Sequence, residues 1–254
     1  QNNIQKLKSY GNHILPVNNG ELASGLIGEG RMAEPEEMVG YLKAYFAENQ
    51  DLKGKKILIT AGPTYEAIDP VRFIGNRSSG KMGVAIAREC FKRGADVILV
   101  LGPVSSNFDT SGLNVIKVQT ANEMFEACKT NFHTVDIAIM AAAVADYTPK
   151  MAEAQKIKKQ NSEFSLELVK TPDILQYLGS VKRQNQLLVG FALETHNEHG
   201  FALEKLKSKN ADLIVLNSIT NPGVGFNFDT NQVTIFDKMG KVLPFELKQK
   251  NLVA

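Results

Sequence analysis

The chain has 254 residues, 43% of them hydrophobic, and a formal net charge of +2. These values allow one sizeable core and exclude whole-molecule attraction to nucleic acid or to a membrane. No apolar run reaches membrane-spanning length and the polar start QNNIQKLK is not typical of a signal peptide, so we expect a cytoplasmic protein. Cys90 and Cys128 lie among apolar neighbours in predicted helices, where we expect buried thiols rather than a disulfide.

Residues 1–50 differ from the rest of the chain. They predict a short helix, a strand over His13–Val17, a glycine-rich loop and an amphipathic helix over Pro35–Glu48. One strand and two helices cannot build a core, so we expect this segment to be the tail of a neighbouring domain.

From Lys55 onward, predicted strands and helices alternate. The strands are expected at 55–60, 96–101, 114–119, 136–142, 164–170, 187–193 and 211–217, and the helices at 81–93, 121–132, 172–182 and 198–209. Residues 232–247 break this pattern and predict a β-hairpin. The expected fold class is therefore α/β: a Rossmann-like, doubly wound, mostly parallel sheet with an added β-hairpin.

The loop that follows the first predicted strand is typical of an anion site. The apolar run 57–61 ends in a Gly-Pro turn, and the Ser/Gly/Lys-rich stretch Gly75–Gly83 opens a helix whose amides can face a phosphate. A P-loop would require Ser or Thr where Met82 stands, and the dinucleotide-binding glycine fingerprint is absent. The sequence thus indicates a domain that handles a nucleotide or a phosphate, without a standard motif.

Three further segments follow predicted strands or lie near them. Small residues precede Asp146, which is suited to a ribose hydroxyl or, alternatively, to a helix cap. The lysines of the run Lys156–Lys159 could neutralise the charge of a triphosphate; alternatively, they only form a solvated surface. Lys205 and Lys209 lie one turn apart on a helix, where they hold phosphates or complement the helix C-terminus. The histidines have no metal-ligand spacing, and we designate no metal ligands.

Several motifs together resemble one enzyme family. They are ITAGPT, DPVRFIGNRSSGKMG, AAAVADY, KIKK, KTPDIL, VGFALET and the helix with Lys205 and Lys209, in order from Lys55 to Leu247. They resemble phosphopantothenoylcysteine synthetase, a phosphopantothenate–cysteine ligase that is commonly the C-terminal half of a bifunctional coenzyme A biosynthesis protein. The resemblance implies a ligase domain at 51–254.

Residues 1–50 resemble the C-terminal remnant, with a linker, of the fused flavin-dependent phosphopantothenoylcysteine decarboxylase. Ser24 stands where that family usually has a reactive cysteine, and the body that binds FMN is not in the sequence. We therefore do not expect this chain alone to decarboxylate.

The resemblance implies a two-step reaction. The carboxylate of 4′-phosphopantothenate attacks the α-phosphate of CTP to give an acyl-cytidylate and pyrophosphate, and the amine of cysteine then displaces CMP. Mg²⁺ is expected on the triphosphate, and a homodimer is expected, without nucleic acid or membrane partners. The alternatives are an ATP-dependent form of the ligase, a dinucleotide-binding oxidoreductase and a non-catalytic regulatory module. For the oxidoreductase, this chain lacks the expected Tyr/Lys pair.

The resemblance also implies roles for individual residues. Lys156 matches the essential lysine of the first half-reaction, and Asn76 matches the asparagine of the second. Because Asn76 lies in a Gly/Ser loop before a helix, its side chain is expected to point into the site with little local packing role; the alternative is that it only supports a turn by bonding to its own backbone. Phe191 has a second interpretation as a core residue. The positions that match nucleotide-binding residues are Met140, Ala141, Ala142, Asp146, Lys156, Pro172, Asp173, Ile174, Leu175, Phe191, Lys205 and Lys209.

Overall fold

The computed structural model describes residues 2–21, 24–48, 50–158, 163–194, 198–218 and 228–254. The chain divides into two compact units, Gln1–Asp51 and Leu52–Ala254. Lys159 and Thr195, which belong to two of the motifs above, lie outside the described residues.

The described residues of the first unit form two helices and one hairpin. Its elements are α1 (Asn2–Ser9), β1 (Asn18–Glu21), β2 (Ile27–Arg31) and α2 (Pro35–Glu48). The strand expected over His13–Val17 is wrong: this stretch is irregular and contains Pro16, which has no N–H for a ladder. Among the described residues of this unit, only Ala33 is a buried hydrophobic residue.

The second unit holds the remaining elements. Its strands are β3 (Lys56–Ala61), β4 (Tyr65–Ala67), β5 (Phe73–Gly75), β6 (Asp96–Leu101), β7 (Asn114–Lys117), β8 (Ile137–Met140), β9 (Tyr147–Pro149), β10 (Leu168–Lys170), β11 (Leu187–Glu194), β12 (Leu213–Ser218), β13 (Thr230–Asn231), β14 (Val233–Asp237), β15 (Val242–Pro244) and β16 (Lys248–Gln249). Its helices are α3 (Lys81–Lys92), α4 (Ala121–Phe132), α5 (Ile174–Val181), α6 (Glu198–Ser208) and α7 (Lys250–Val253).

Eight strands form the main sheet, in the order β15-β14-β12-β11-β8-β3-β6-β7. The run from β7 to β12 is parallel throughout, and β14 and β15 add to the edge of β12 in antiparallel orientation. Numbered in chain order, the six parallel strands lie in the doubly wound order 3-2-1-4-5-6. The switch point, where successive strands begin to be added on the other side of the first, lies between β3 and β8. The predicted fold class and the added hairpin are confirmed.

The strand expected at 164–170 is the main error in the second unit. Only Leu168–Lys170 is a strand, and it pairs with β9 in a two-stranded ribbon outside the main sheet. Polar and apolar residues alternate from Glu163 to Leu168, and all three residues of the observed strand are exposed, whereas a strand inside a parallel sheet is buried on both faces.

The two faces of the sheet pack against different helices. Along β3, Leu58 contributes to the core that includes α4, α5 and α6, while Ile57 and Ile59 contribute to the core that includes α3. Cys90 and Cys128 are buried thiols, as predicted, and burial raises the pKa of Cys128 to about 12. Because the strands from β7 to β12 are parallel, their carboxyl ends lie along one edge of the sheet.

Candidate active site

The loops after β3 and β8 are joined by hydrogen bonds at the switch point, where the order in which strands are added to the sheet reverses. Thr60 Oγ1 accepts a hydrogen bond from Ala142 N at 3.1 Å, and Thr64 Oγ1 accepts one from Ala145 N at 3.0 Å. Ala143 N also donates to Gly62 O at 2.9 Å. Both threonines are buried, so these bonds hold the loop 141–145 in one position beside β3.

Helix α3 begins close against the end of β3. A Cβ at Gly83 would lie 2.6 Å from Ala61 Cβ and 2.9 Å from Thr60 O, so glycine is required for this approach. Gly80 caps the helix with a positive φ of 75°. The free amides of the first turn therefore stand at the switch point, where an anion is favoured.

A first cavity of about 530 Å³ opens at this helix start. Its lining combines the loop before α3 with the ends of β8, β11 and β12 and with the C-terminal segment. The lining residues are Gly75, Asn76, Arg77, Ser78, Ser79, Gly80, Lys81, Met82, Gly83, Ala141, Ala142, Ala143, Val144, Phe191, Ala192, Leu193, Asn217, Asn231 and Lys250.

The charge of the first cavity is mainly positive. Lys81 pairs with the exposed Asp229 at 2.5 Å, and Lys250, which is buried, donates to Phe228 O at 2.7 Å. Burial is the largest effect on the pKa of Lys250 and lowers it; the charge of Lys81 lowers it further, while Asp229 raises it, and the net pKa is below its usual value. An anion bound between Lys81 and Lys250 would relieve this repulsion.

A second cavity of about 390 Å³ lies on the other side of the loop 141–145. All of the predicted nucleotide-binding residues line it except Ala141, which lines the first cavity, and Lys156. The lining residues are Thr60, Met140, Ala142, Val144, Asp146, Tyr147, Lys170, Thr171, Pro172, Asp173, Ile174, Leu175, Phe191, Lys205 and Lys209. The two cavities share Ala142, Val144 and Phe191.

The lysines at the end of α6 point back toward the second cavity. Lys205 Nζ donates to Phe191 O at 3.0 Å, and Lys209 Nζ donates to Asp173 Oδ2 at 2.8 Å. Asp173 in turn caps α5 by accepting from Gln176 N. Desolvation, the largest effect, raises the pKa of Asp173, but Lys209, Gln176 N and Lys205 outweigh it and hold the pKa below its usual value.

Asn76 lines the first cavity, and its side chain also contacts a loop that is distant in the sequence. Its Nδ2 donates to Ala143 O at 3.2 Å and to Val144 O at 3.0 Å. The side chain therefore ties the loop before α3 to the loop after β8.

Asp146 is exposed and is followed by β9, not by a helix, so its alternative interpretation as a helix cap is wrong. Phe191 combines both of its interpretations, because it packs against the core and lines both cavities.

Two predicted residues are not among the lining residues of the cavities. Lys156 is exposed, stands in the connection between β9 and β10, and is not among the lining residues of either cavity. Ser24 belongs to the first unit, where it is exposed in the turn between β1 and β2.

Sequence reasoning missed several residues of the site. Thr60 and Thr64 lie within the ITAGPT motif, but their hydroxyl contacts join segments about 80 positions apart. Asn217, Asn231 and Lys250 reach the first cavity from the C-terminal part of the chain. No local pattern marks them.

Within the described ranges, no three His, Cys, Asp or Glu side chains are grouped as they would be to hold a metal ion. None of the described helices is long and apolar enough to cross a membrane.

The sheet order defines a Rossmann-like α/β protein, with two cavities at the carboxyl ends of its strands, where such folds bind ligands. Residues 52–254 match the family described as the DNA/pantothenate metabolism flavoprotein C-terminal domain, and the chain belongs to this family. The family expected from the sequence motifs is therefore confirmed.

Known relatives cover most of the chain. A protein of an unknown prokaryotic organism, named Cysteine/Cysteine sulfinic acid decarboxylase, is 52% identical over 258 residues, which cover 100% of this chain and 72% of that protein. The coenzyme A biosynthesis bifunctional protein CoaBC of Bacillus subtilis (strain 168) is 48% identical over 240 residues. That match covers 94% of this chain, which spans 59% of the Bacillus protein.

A solved structure shares the fold. The crystal structure of the C-terminal domain of a coenzyme A biosynthesis bifunctional protein CoaBC superposes with a TM-score of 0.68 at 44% sequence identity. The match covers 80% of this chain and 92% of that domain.

Proposed function

We propose that this chain is a phosphopantothenate–cysteine ligase of coenzyme A biosynthesis that uses CTP. The observation that carries the proposal is the pair of ligand-sized cavities that meet at Ala142, Val144 and Phe191, each with lysines along its lining. Two anionic substrates can thus be held on either side of one reaction point. The relationship to the CoaBC proteins supports this assignment.

The second cavity is the proposed nucleotide site. Asp146 offers a carboxylate to the ribose, the start of α5 offers backbone amides, and Lys205 and Lys209 offer positive charge for the phosphates. Mg²⁺ is expected to arrive on the triphosphate as part of the substrate.

The first cavity is the proposed phosphopantothenate site. The phosphate end of that substrate would find the amides at the start of α3, together with Lys81 and Lys250. Its carboxylate would then point toward the shared residues Ala142 and Val144, beside the α-phosphate of the nucleotide.

The chemistry follows from this arrangement. A carboxylate is a poor acyl donor, so its oxygen first bonds to the α-phosphorus of CTP while the bond to the β-phosphate oxygen breaks and pyrophosphate leaves. The cysteine amine then bonds to the acyl carbon, CMP leaves with the former carboxylate oxygen, and the ammonium protons pass to solvent. Holding the two anions together supplies much of the rate.

Lys156 is proposed to stabilise the pyrophosphate leaving group. Lys156→Gln removes one positive charge from an exposed position, so folding and CTP binding in the second cavity should persist. We expect pyrophosphate release to slow by about 10²–10³-fold, the usual effect of losing one such electrostatic contact. A wild-type rate would show that Lys156 is only a solvated charge.

Two further properties belong to the proposal. Decarboxylation is not assigned to this chain, because Ser24 stands at the position of the expected cysteine. A homodimer is proposed, with the β14–β15 hairpin as the contacting element.

The decisive experiment adds substrates in order. Phosphopantothenate and Mg²⁺ are mixed with the protein and either CTP or ATP, pyrophosphate is measured, and cysteine is added afterwards. We expect pyrophosphate with CTP before cysteine is present, and the amide product only after its addition. If pyrophosphate forms with ATP and not with CTP, ATP is the nucleotide substrate. Tight binding of a nicotinamide dinucleotide without pyrophosphate release would overturn the proposal.

A further inference from the structure

The connection that carries Lys156 is attached to one turn of the protein. This connection runs from β9 to β10, and the turn, residues 68–72, joins β4 to β5. Glu153 N donates to Ile68 O at 2.9 Å, and Arg72 Nη2 donates to Ile157 O at 2.6 Å. The backbone on both sides of Lys156 is therefore held from the same turn.

Asp69 is the centre of this attachment. Its side chain is buried, and its Oδ1 accepts hydrogen bonds from Val71 N and Arg72 N, each at 2.8 Å. Its Oδ2 accepts from Ile157 N at 3.2 Å and pairs with Arg72 Nη2 at 2.9 Å. One carboxylate oxygen thus folds the turn, and the other holds the residue that follows Lys156.

The carboxylate of Asp69 is kept charged. Desolvation is the largest effect and raises the pKa of Asp69, but the amides of Val71, Arg72 and Ile157 and the guanidinium of Arg72 outweigh it. The net pKa lies below its usual value. Hydrogen bonds to a charged acceptor are about twice as strong as those between neutral groups, so the contact with Ile157 is suited to fixing a segment that is otherwise irregular.

We propose that Asp69 is a positioning residue for Lys156: it fixes the backbone at Ile157 so that the lysine reaches the leaving phosphates in the first half-reaction. The inference rests on the proposed function. It gives a role to the DPVR segment of the sequence, which neither cavity uses. A misplacement of about 1 Å costs about 10²-fold in rate, so a backbone anchor next to a charged group has a large kinetic effect.

The hairpin formed by β4 and β5 extends this coupling to Asn76. Asp69 lies in the turn of the hairpin, and Asn76 follows its second strand directly. Tyr65 and Phe73 stack across the hairpin with ring centroids 3.9 Å apart, which stiffens it. One element thus supports both residues to which the two half-reactions are assigned.

The test is a double-mutant cycle with Asp69→Asn and Lys156→Gln. In Asp69→Asn one of the two accepting oxygens becomes an NH₂ group, which cannot accept a hydrogen bond, and the negative charge is lost. The hydrogen bond from Ile157 N therefore weakens. We expect pyrophosphate release to slow by about 10²-fold in Asp69→Asn. CTP affinity by calorimetry should stay unchanged, because the second cavity does not include this turn, and Asp69→Asn should slow the Lys156→Gln protein no further.

The matched control is Asp136→Asn. Asp136 Oδ2 also accepts a backbone hydrogen bond, from Lys56 N at 2.8 Å, but it lies at the amino end of the strands. Pyrophosphate release by Asp136→Asn should be as fast as in the wild-type protein. If Asp69→Asn is too unstable, Arg72→Gln replaces it; Arg72 is exposed, and its loss releases Ile157 O. Arg72→Gln is likewise expected to cause no further slowing of pyrophosphate release in the Lys156→Gln protein.

The outcomes separate the inference from the proposed function. A wild-type rate in Asp69→Asn, or an equal slowing in the wild-type and Lys156→Gln backgrounds, would overturn the positioning role while leaving the ligase intact. A wild-type rate in Lys156→Gln would remove the role of the lysine and this inference with it. Failure of the wild-type protein to release pyrophosphate from any nucleotide would instead overturn the proposed function.

Discussion

Asn76 shows how one side chain can serve both the structure and the chemistry of a site. Its amide joins the loop before α3 to the carbonyl oxygens of Ala143 and Val144, and these residues line the first cavity. The position of the loop after β8 therefore depends on a donor at residue 76. In the proposed reaction this loop lies beside the acyl group.

The exchange Asn76→Asp removes both donors and introduces a negative charge. We expect pyrophosphate release to continue and the acyl-cytidylate to accumulate, because the charge repels the oxyanion that develops when cysteine attacks. Amide formation should fall by about 10²–10³-fold. Mass spectrometry of the quenched reaction detects the trapped intermediate.

Asn131→Asp is the matched control for this exchange. Asn131 Nδ2 also donates to a backbone carbonyl, that of Ala127 at 2.8 Å, but it lies in α4 and lines neither cavity. Its kinetics should be those of the wild type. An equal loss of both half-reactions in Asn76→Asp, without a trapped intermediate, would mean that Asn76 only supports the loop.

At the scale of elements, Asp212 joins three parts of the fold at the amino end of β12. It pairs with Lys182, which follows α5, at 2.8 Å, and with Lys238, in the turn before β15, at 2.6 Å. It also accepts from Leu188 N at the start of β11. Desolvation, the largest effect, raises the pKa of Asp212, but the two lysines and Leu188 N hold it below its usual value.

The depressed pKa gives a defined pH dependence. A carboxylate with a lower pKa in the folded state stabilises that state above its unfolded value, near 3.8, and this stabilisation is lost as the pH falls through the folded pKa. We expect Asp212→Asn to cost about 3–5 kcal/mol in the free energy of unfolding at pH 7, because Lys182, whose side chain is only 10% exposed, keeps its bond to Asn210 O but loses the carboxylate that balances its charge. The cost should shrink only below about pH 4.

Urea unfolding of both proteins at pH 7 and pH 3 measures this difference. Glu126→Gln is the control, because the pair of Glu126 with Lys129 is exposed, and its loss should cost under about 1 kcal/mol at either pH. An Asp212→Asn deficit that is equally large at pH 3 would show that packing, not charge, accounts for it.

At the scale of the whole molecule, the sheet ends in an exposed edge. β15 is the last strand on one side, and the large apolar residues of this hairpin and the segment that follows it are partly exposed: Val242, Leu243, Phe245 and Leu247. An edge strand with apolar side chains favours pairing with another chain. This feature supports the proposed homodimer.

Sedimentation velocity at micromolar concentration tests the dimer. We expect the wild-type protein to sediment as a dimer and Leu243→Glu to sediment as a monomer, because the charge would be buried at the contact. Met239→Glu, in the turn of the same hairpin, should remain dimeric. A wild-type monomer, or a dimer in Leu243→Glu, would rule out this edge as the interface.

Much of the fold follows from local patterns in the sequence. The apolar runs of β3, β6 and β11 predict buried parallel strands, and the periodic helices between them predict the crossovers, because hydrophobic burial selects these patterns one segment at a time. The predicted bounds of α4, 121–132, agree with the structure because Thr120 and Glu123 form a capping box. The strands predicted at 13–17 and 164–170 are wrong, because the first segment contains Pro16, which has no N–H for a ladder, and the end of the second pairs with β9 outside the main sheet.

The sequence by itself determined the fold class, the family and most of the residues around the second cavity, since these depend on short motifs at the ends of strands. Only the tertiary structure decided that Asn76 binds the loop after β8, that Asp69 holds the segment of Lys156, and that Lys250 reaches the first cavity. Each of these contacts joins positions about 70 to 170 residues apart. Such contacts arise from the order of strands in the sheet and from packing across it, which no local pattern of residues encodes.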